Sequence, residues 1–181
     1  LNPSQAWRAD ILTSAELRLA AERAAPLLRN AESEMQRLFS IVRSLGLTVL
    51  LADPDAVLIA RRSDDTCRSF CRRWHLAPGA VWKEGVAGTN GIGTAIQDAC
   101  PIALTRGDHW RFCLSSPESY AVPVVGAEGQ LQGALNLASP TDGIPPQHTL
   151  LPLALLRVAP ASPAPRLFRE RPTAAHTPTV T

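Results

Sequence analysis

The pattern of apolar positions predicts two consecutive helices near the start of the chain. Residues 15–25 are rich in helix-forming residues, and Thr13 and Ser14 precede them as candidate N-cap residues. Pro26 interrupts this pattern, because a proline inside a helix removes a backbone hydrogen bond. A second helical pattern follows and continues to Leu45.

The apolar positions of the second helix form one narrow stripe. Such a stripe is typical of a helix that packs against a partner helix, in the same chain or in a second subunit. We predict a homodimer in which this helix packs beside its copy or beside a short helix at residues 150–156. The alternative is an amphipathic helix that lies on the sheet of its own domain. The positions are spaced by three and four residues in turn: Leu28, Ala31, Met35, Leu38, Val42 and Leu45.

Short apolar runs on either side of turns predict two β-hairpins. Residues 47–52 and 57–60 flank Asp53-Pro54-Asp55, where the proline presets the backbone for a turn. Residues 120–125 and 131–137 flank a second turn that contains glycine. Both hairpins are expected to belong to one sheet.

The segment between the hairpins mixes helix, loop and strand. Residues 64–74 are predicted to be helical, and a glycine-rich stretch at residues 78–93 follows. A short helix is expected to open at Gly93, ahead of a strand at residues 101–104. Residues 108–112 are predicted to form a short helix or a loop.

Taken in order, these elements indicate an α+β fold with a central antiparallel sheet and helices at both ends. Strands that pair mainly through hairpins form antiparallel sheets, and helices then pack on their faces. We expect the terminal helices on one face of the sheet and the loops of residues 74–112 on the other.

The chain is predicted to have three parts. Residues 1–45 form a helical lead-in, residues 46–158 form the main domain, and residues 159–181 form a Pro-rich linker or disordered tail. The chain begins with Leu1 rather than Met, which indicates a fragment of a longer protein.

Composition and charge narrow the functional classes. Hydrophobic residues make up 45% and charged residues 19% of the chain, as in ordinary globular domains. A formal net charge of +2 argues against direct contact with nucleic acid, and we interpret Arg61-Arg62 and Arg72-Arg73 as solvated faces. No apolar run approaches the roughly 18–20 residues that span a bilayer. Four cysteines at low density indicate reduced thiols in a cytoplasmic protein.

The glycine-rich stretch from Trp82 to Ile96 is the most informative motif. Gly88 and Gly93 have the spacing of a Walker A phosphate loop, but Thr94 stands where that motif needs a lysine. Asn90 occupies the position of the second glycine in a dinucleotide-binding fingerprint. Neither nucleotide-binding motif is therefore present, and no cofactor is predicted.

The same stretch resembles the GAF sensory domain of the sigma-54-dependent activators of acetoin and glycerol catabolism. The pattern Trp-x-Glu-x-x-x-Gly-Thr-Asn-Gly-Ile-Gly-Thr-Ala at residues 82–95 carries this resemblance. Leu50-Leu51-Ala52-Asp53, Asp108-His109-Trp110 and residues 133–139 agree with the family in order, although Asn136 replaces its more usual aspartate. The resemblance covers roughly residues 4–158 and implies a GAF/PAS-like fold.

The resemblance also implies a function and partners. Such a domain senses a small metabolite (a polyol, a ketone or an acetoin-like compound), and its occupancy changes the helices that lead to an output domain. A metabolic enzyme subunit is a further partner that the family implies. These regulators continue with an ATPase and a helix-turn-helix domain, and neither is present in this sequence.

Six residues are candidates for ligand binding, and each has a structural alternative. The aromatic rings are expected either to wall a pocket or to plug a loop, and the histidine either to donate to a ligand or to brace a loop. The asparagine is either a ligand-facing group near a helix start or a left-handed turn residue. The candidates are Trp82, Glu84, Asn90, Thr94, His109 and Trp110.

The cysteines raise two further possibilities. Cys67, Cys71 and His75 share one face of the predicted helix, but no Cys-x-x-Cys pair supports a metal site, so none is predicted. Some free-standing GAF domains reduce methionine sulfoxide with cysteines, so Cys71 and Cys113 are the candidates for such an enzyme. We predict a sensor that is not an enzyme, with this thiol enzyme and a ligand-free docking or dimerisation module as alternatives.

Overall fold

The computed structural model describes residues 2, 4, 8–105, 107–111, 117–140 and 155–156. Short 3-10 turns lie at Arg43–Leu45 and Asp65–Cys67. The helices are α1 (Ser14–Arg23), α2 (Ala25–Val42), α3 (Arg68–Arg73), α4 (Glu84–Ala87) and α5 (Gly91–Asp98). The strands are β1 (Asp10–Ile11), β2 (Thr48–Ala52), β3 (Leu58–Arg62), β4 (Ala80–Val81), β5 (Ile102–Leu104), β6 (Glu118–Val125) and β7 (Leu131–Ser139).

The main sheet has the strand order β3-β2-β7-β6-β5, and all its neighbouring strands run antiparallel. The hairpins β2–β3 and β6–β7 are those predicted from the sequence. Pairing of β2 with β7 joins them, with Leu50 opposite Asn136 at the centre of the sheet. The predicted α+β fold with a central antiparallel sheet is confirmed.

Helices α1 and α2 begin where local chemistry favours a helix start. The Thr13 hydroxyl accepts a hydrogen bond from the Glu16 amide, and the Glu16 carboxylate accepts one from the Thr13 amide, which forms a capping box. Pro26 lies in the first turn of α2, where the missing amide hydrogen does no harm. The proline therefore separates two helices, as predicted.

Helix α2 packs on one face of the sheet and forms the first hydrophobic core with it. Met35, Leu38 and Val42 are fully buried against side chains of β2, β6 and β7. Most of the narrow stripe thus packs on the domain's own sheet, which is the alternative that the sequence left open. Leu28 is only partly buried and Leu45 is 38% exposed, so the stripe is centred closer to Leu27 than predicted.

The opposite face of the sheet carries α3, the glycine-rich segment and α5. Phe70, Cys71, Trp74 and Trp82 form a second core there with side chains of β2 and β3. This arrangement matches the expected placement of residues 74–112 on the face away from α1 and α2. Residues 112–116 and most of the predicted helix at 150–156 lie outside the described residues, as does the predicted tail at 159–181.

Three local features differ from the sequence prediction. Strands β1 and β4 form a separate two-stranded sheet in which Asp10 pairs with Val81. Residues 84–87 form the short helix α4 inside the glycine-rich stretch. Helix α5 begins at Gly91, two residues before the predicted start, because Asn90 provides its N-cap.

Candidate functional site

A small cavity lies between the sheet and the glycine-rich segment. Its volume is about 20 Å³, which is room for a single water molecule. The start of α5, the turn after α3 and the first residues of β6 enclose it. Its walls comprise Trp74, Leu76, Trp82, Asn90, Gly91, Ile92, His109, Pro117, Glu118, Ser119, Asn136 and Ala138.

Asn136 and Ser119 form the polar part of the wall on the sheet. The Asn136 side-chain amide donates to Ser119 Oγ at 2.7 Å and to the Tyr120 carbonyl at 3.1 Å. Asn136 is only 1% exposed, and its Oδ1 has no hydrogen-bond partner within the described part of the chain. A buried carbonyl oxygen without a partner is an acceptor that a ligand or a water molecule can satisfy.

Asn90 organises the glycine-rich segment. Its Oδ1 accepts from the Gly93 amide at 2.8 Å, and its Nδ2 donates to the carbonyls of Trp82 at 3.0 Å and Gly88 at 2.8 Å. Its backbone is extended, with φ of −151°, so the left-handed turn suggested by its glycine neighbours is wrong. Both amide hydrogens are used within the protein, which makes Asn90 a loop brace that also lines the cavity.

His109 lines the cavity from the opposite wall. Its Nε2 lies 3.1 Å from the Pro117 carbonyl, which only accepts, so Nε2 carries the proton and donates. Burial lowers the pKa of His109, although the backbone carbonyl of Pro117 and the charge of Asp108 act the other way. The imidazole is therefore neutral at physiological pH.

The segment that carries His109 is held at both ends. The Asp108 carboxylate accepts from the Thr105 amide at 2.7 Å and its hydroxyl at 2.8 Å, and these bonds lower the pKa of Asp108. The buried Arg111 guanidinium donates to the carbonyls of Ala87 and Val86, at the end of α4. These contacts fix the histidine segment to the glycine-rich segment.

Of the remaining predicted site residues, Trp82 lines the cavity, whereas Glu84, Thr94 and Trp110 do not. Trp82 belongs to the walls and to the second core, so it is both a plug and a lining residue. The Thr94 hydroxyl accepts from the Asn90 amide at 3.2 Å, inside α5. Trp110 is 47% exposed, and a Cβ on Gly88 would lie 2.7 Å from its ring. Glu84 begins α4, and it does not line the cavity.

The structure thus brings Trp82, Asn90 and His109 together, and it adds wall residues that sequence reasoning missed. Trp74 and Leu76 come from the turn after α3, while Ser119 and Asn136 come from neighbouring strands. A signal for Asn136 existed in the sequence, because it is the one polar residue in the apolar run at residues 133–138.

Two of the cysteines singled out from the sequence, Cys67 and Cys71, are buried. Cys67 Sγ lies 3.3 Å from the Gly46 carbonyl, and Cys71 Sγ lies 3.5 Å from Thr48 Oγ1, both in buried surroundings. No group of three histidine, cysteine or acidic side chains in this part of the chain could hold a metal ion. Cys113 lies outside the described residues.

The described helices contain no apolar segment of the length that a membrane crossing needs.

Comparison with known proteins identifies the relatives of this chain. No family model matches it. It is 25% identical over 146 residues to the acetoin dehydrogenase operon transcriptional activator AcoR of Bacillus subtilis, with 81% of this chain and 24% of that protein covered. It is 29% identical over 158 residues to the acetoin catabolism regulatory protein of Cupriavidus necator, with 87% and 24% covered.

The fold is similar to those of two solved structures. In the structure of the E. coli DhaR(N)–DhaL complex, one chain matches with a TM-score of 0.77 and 16% identity, covering 86% of this chain and 53% of that chain. The chain is homologous to part of the acetoin-type transcriptional activators, and its fold is consistent with the GAF resemblance of its sequence. A putative IclR transcriptional regulator from Silicibacter sp. matches less well, with a TM-score of 0.50 and 16% identity, over 87% of this chain and 74% of that one.

The chain spans about a quarter of the length of each curated relative. Both relatives are transcriptional regulators, which agrees with the regulatory role predicted from the sequence. The similarity to the solved structures shows the fold alone.

Proposed function

We propose that the chain is the small-molecule-sensing domain of a sigma-54-dependent transcription activator and does not catalyse a reaction. The observation that carries this proposal is the cavity on the sheet face opposite α2. Five polar side chains line it, and one of them, Asn136, keeps a buried acceptor without a partner among the described residues. A core that served stability alone would fill this space with apolar side chains.

The chemistry of the walls favours an uncharged polar ligand. Asn136 and Ser119 are neutral, burial keeps His109 neutral, and no lysine or arginine belongs to the walls that the structure describes. The Glu118 carboxylate accepts a hydrogen bond from the Tyr120 hydroxyl, whose pKa is raised by burial and by this carboxylate. A polyol, a ketone or an acetoin-like hydroxyketone fits such surroundings.

A ligand of three or four carbons needs more space than one water molecule occupies. We propose that the glycine-rich segment and the segment of residues 107–111 move away from the sheet when it binds. The arginine contacts between Arg111 and the end of α4 would couple the two segments during this movement. Binding would then select an open arrangement that is rare without ligand.

A ligand screen by thermal shift tests the proposal, because a ligand that binds the folded state raises the melting temperature. Small polyols, ketones and acetoin-like compounds are the probes. The Ala138→Val variant fills the cavity and should abolish the shift, whereas Ala103→Val, at an exposed position of β5, should retain it. A shift that survives in both variants places binding elsewhere, and no shift with any probe rejects the sensor.

The second candidate function is docking to a metabolic enzyme subunit. Two observations favour it. A similar fold is present in a DhaR(N)–DhaL complex, and the interior cavity is small. Co-purification with a DhaL-like subunit, equally strong for the native chain and for Ala138→Val, would support docking over sensing. The thiol enzyme would be supported instead by methionine-sulfoxide turnover that Cys71→Ser abolishes.

The homodimer also stays a proposal. The core of the predicted stripe is buried within one copy, so the side chains left for self-association near α2 are Ile41, 41% exposed, and Leu45. Light scattering over a concentration series, with Ile41→Glu as the variant, tests this contact. The lead-in at 1–45, the main domain at 46–158 and a cytoplasmic location likewise remain predictions.

A further inference from the structure

A second and larger cavity lies on the surface beside α3, apart from the cavity described above. Its volume is about 360 Å³, within the range of small-molecule sites. Strand β3, helix α3 and the turn that follows it form the walls. The lining residues are Ile11, Arg61, Arg68, Cys71, Arg72, His75, Ala77, Pro78 and Ala80.

Basic side chains dominate this cavity. Arg61 donates through Nη1 to the Leu76 carbonyl at 2.7 Å. Arg68 pairs with Asp65 at 2.7 Å, but both side chains are mostly exposed, so the pair contributes little and yields to a competing anion. The Arg72 guanidinium has no partner among the residues that the structure describes.

The neighbouring arginines in the sequence have other contacts. Arg62 pairs with Glu32 on α2 at 2.5 Å, and the Arg73 guanidinium lies 5.2 Å from the ring centre of Trp74. Basic residues in the last turn of a helix offset its dipole, which accounts for Arg72 and Arg73 equally. It does not account for Arg61, which reaches the same cavity from a strand.

His75 lines the surface cavity from a turn with an unusual backbone conformation. Its φ of 51° is left-handed, a conformation in which glycine is preferred after a helix. The Leu76 amide closes this turn on the Cys71 carbonyl at 2.8 Å. Trp74 and Leu76 line the interior cavity, whereas His75 lines the surface cavity, so the turn contributes to both.

We propose that the surface cavity binds a small multivalent oxyanion, namely a phosphate ester or a polycarboxylate. Guanidinium groups bind phosphate and carboxylate oxygens through two parallel hydrogen bonds, and three such groups converge here with an imidazole. No lysine or arginine belongs to the described walls of the interior cavity, so the two sites differ in ligand chemistry. The anion would contact the turn that also forms a wall of the interior cavity.

Isothermal titration of the chain with pyrophosphate, citrate and acetate at matched ionic strength tests the proposal. Pyrophosphate or citrate should bind at least about ten-fold more tightly than acetate, because several charge-assisted hydrogen bonds form. Stronger binding of pyrophosphate than citrate indicates a phosphate ester, and the reverse order indicates a polycarboxylate. Equal affinity for all three anions would overturn the proposal.

Two variants locate the site. Arg72→Gln removes a guanidinium that has no described partner, so the fold should remain intact while affinity falls about ten-fold. Arg73→Gln is the matched control, because the Arg73 guanidinium contacts the Trp74 ring instead of lining the cavity. The affinity of this variant for the anion should stay unchanged. His75→Asn keeps a residue that tolerates the left-handed turn and should weaken binding as well. Equal losses in Arg72→Gln and Arg73→Gln would show binding by surface charge alone and reject the site.

Discussion

The side-chain amide of Asn136 on β7 donates to the hydroxyl of Ser119 on β6 at 2.7 Å, across the wall of the interior cavity. The second amide hydrogen goes to the Tyr120 carbonyl. The interaction with Tyr120 needs a donor at position 136, since a carbonyl oxygen only accepts, whereas the Ser119 hydroxyl can accept or donate. The asparagine that departs from the family's usual aspartate therefore matches its surroundings in this chain.

Asn136→Asp should lower the free energy of unfolding by about 1–3 kcal/mol, because a buried carboxylate faces the Tyr120 carbonyl without a proton to donate. Urea denaturation at pH 7 measures the loss. Asn30→Asp, at an exposed position of α2, is the matched control and should change stability little. Equal effects of the two substitutions would contradict the assigned hydrogen bonds.

The sequence predicted the elements that local chemistry specifies. Asp53-Pro54-Asp55 and the glycine-containing turn before Leu131 define two hairpins, and Thr13 and Pro26 define two helix starts. Pairing of β2 with β7 joins distant segments, and no local pattern encodes it. Strands β1 and β4 have two residues each, which is too short for any periodicity to reveal.

The interior cavity was predictable only in part, because its walls also come from segments that are distant in the sequence. The glycine-rich motif points to Trp82 and Asn90 because these residues lie within or beside it. Ser119 belongs to the cavity because β6 pairs with β7 beneath α5, and such neighbours are far apart in the sequence. The basic cavity shows the same limit, since Arg61 and Arg72 meet only after β3 and α3 have packed.

Gly91 should not tolerate a side chain. A Cβ at this position would lie 2.9 Å from Ser119 Cβ and 3.0 Å from Asn136 Nδ2. Gly91→Ala is therefore expected to cost about 1–3 kcal/mol through overpacking. Gly85→Ala is the control: no atom lies within 4 Å of its added Cβ, and helix propensity should stabilise α4 by up to about 1 kcal/mol. Thermal melts of both variants measure the difference, and a neutral Gly91→Ala would refute the close contact.

Leu38 should matter for folding rather than for association. It is completely buried between α2 and the sheet, so Leu38→Ala should lower the free energy of unfolding by about 2–5 kcal/mol. Ile41→Ala, one turn away on the exposed side of α2, should cost less than about 1 kcal/mol. Chemical denaturation combined with light scattering distinguishes the two roles. A Leu38→Ala variant that keeps its stability but loses self-association would restore the helix-to-helix interpretation of the stripe.

His109 should make the stability of the domain depend on pH near neutrality. Burial lowers its pKa in the folded state relative to the unfolded chain, so the unfolded state binds more protons as the pH falls below about 6.5. The neutral His109 side chain contributes its full stabilisation above the pKa that it has in the unfolded chain. This contribution is lost as the pH falls through the lower pKa that it has in the folded chain. Exposed carboxylates titrate at lower pH, so the window from pH 7.5 to 5.5 covers histidine titration, and a His109 variant separates this residue from the other three histidines. The melting temperature of the native chain should fall across this window.

His109→Gln, which keeps a side-chain donor for the Pro117 carbonyl, should show a smaller fall in melting temperature. Identical pH profiles for the two chains would show that His109 is not the buried neutral group that the cavity wall requires.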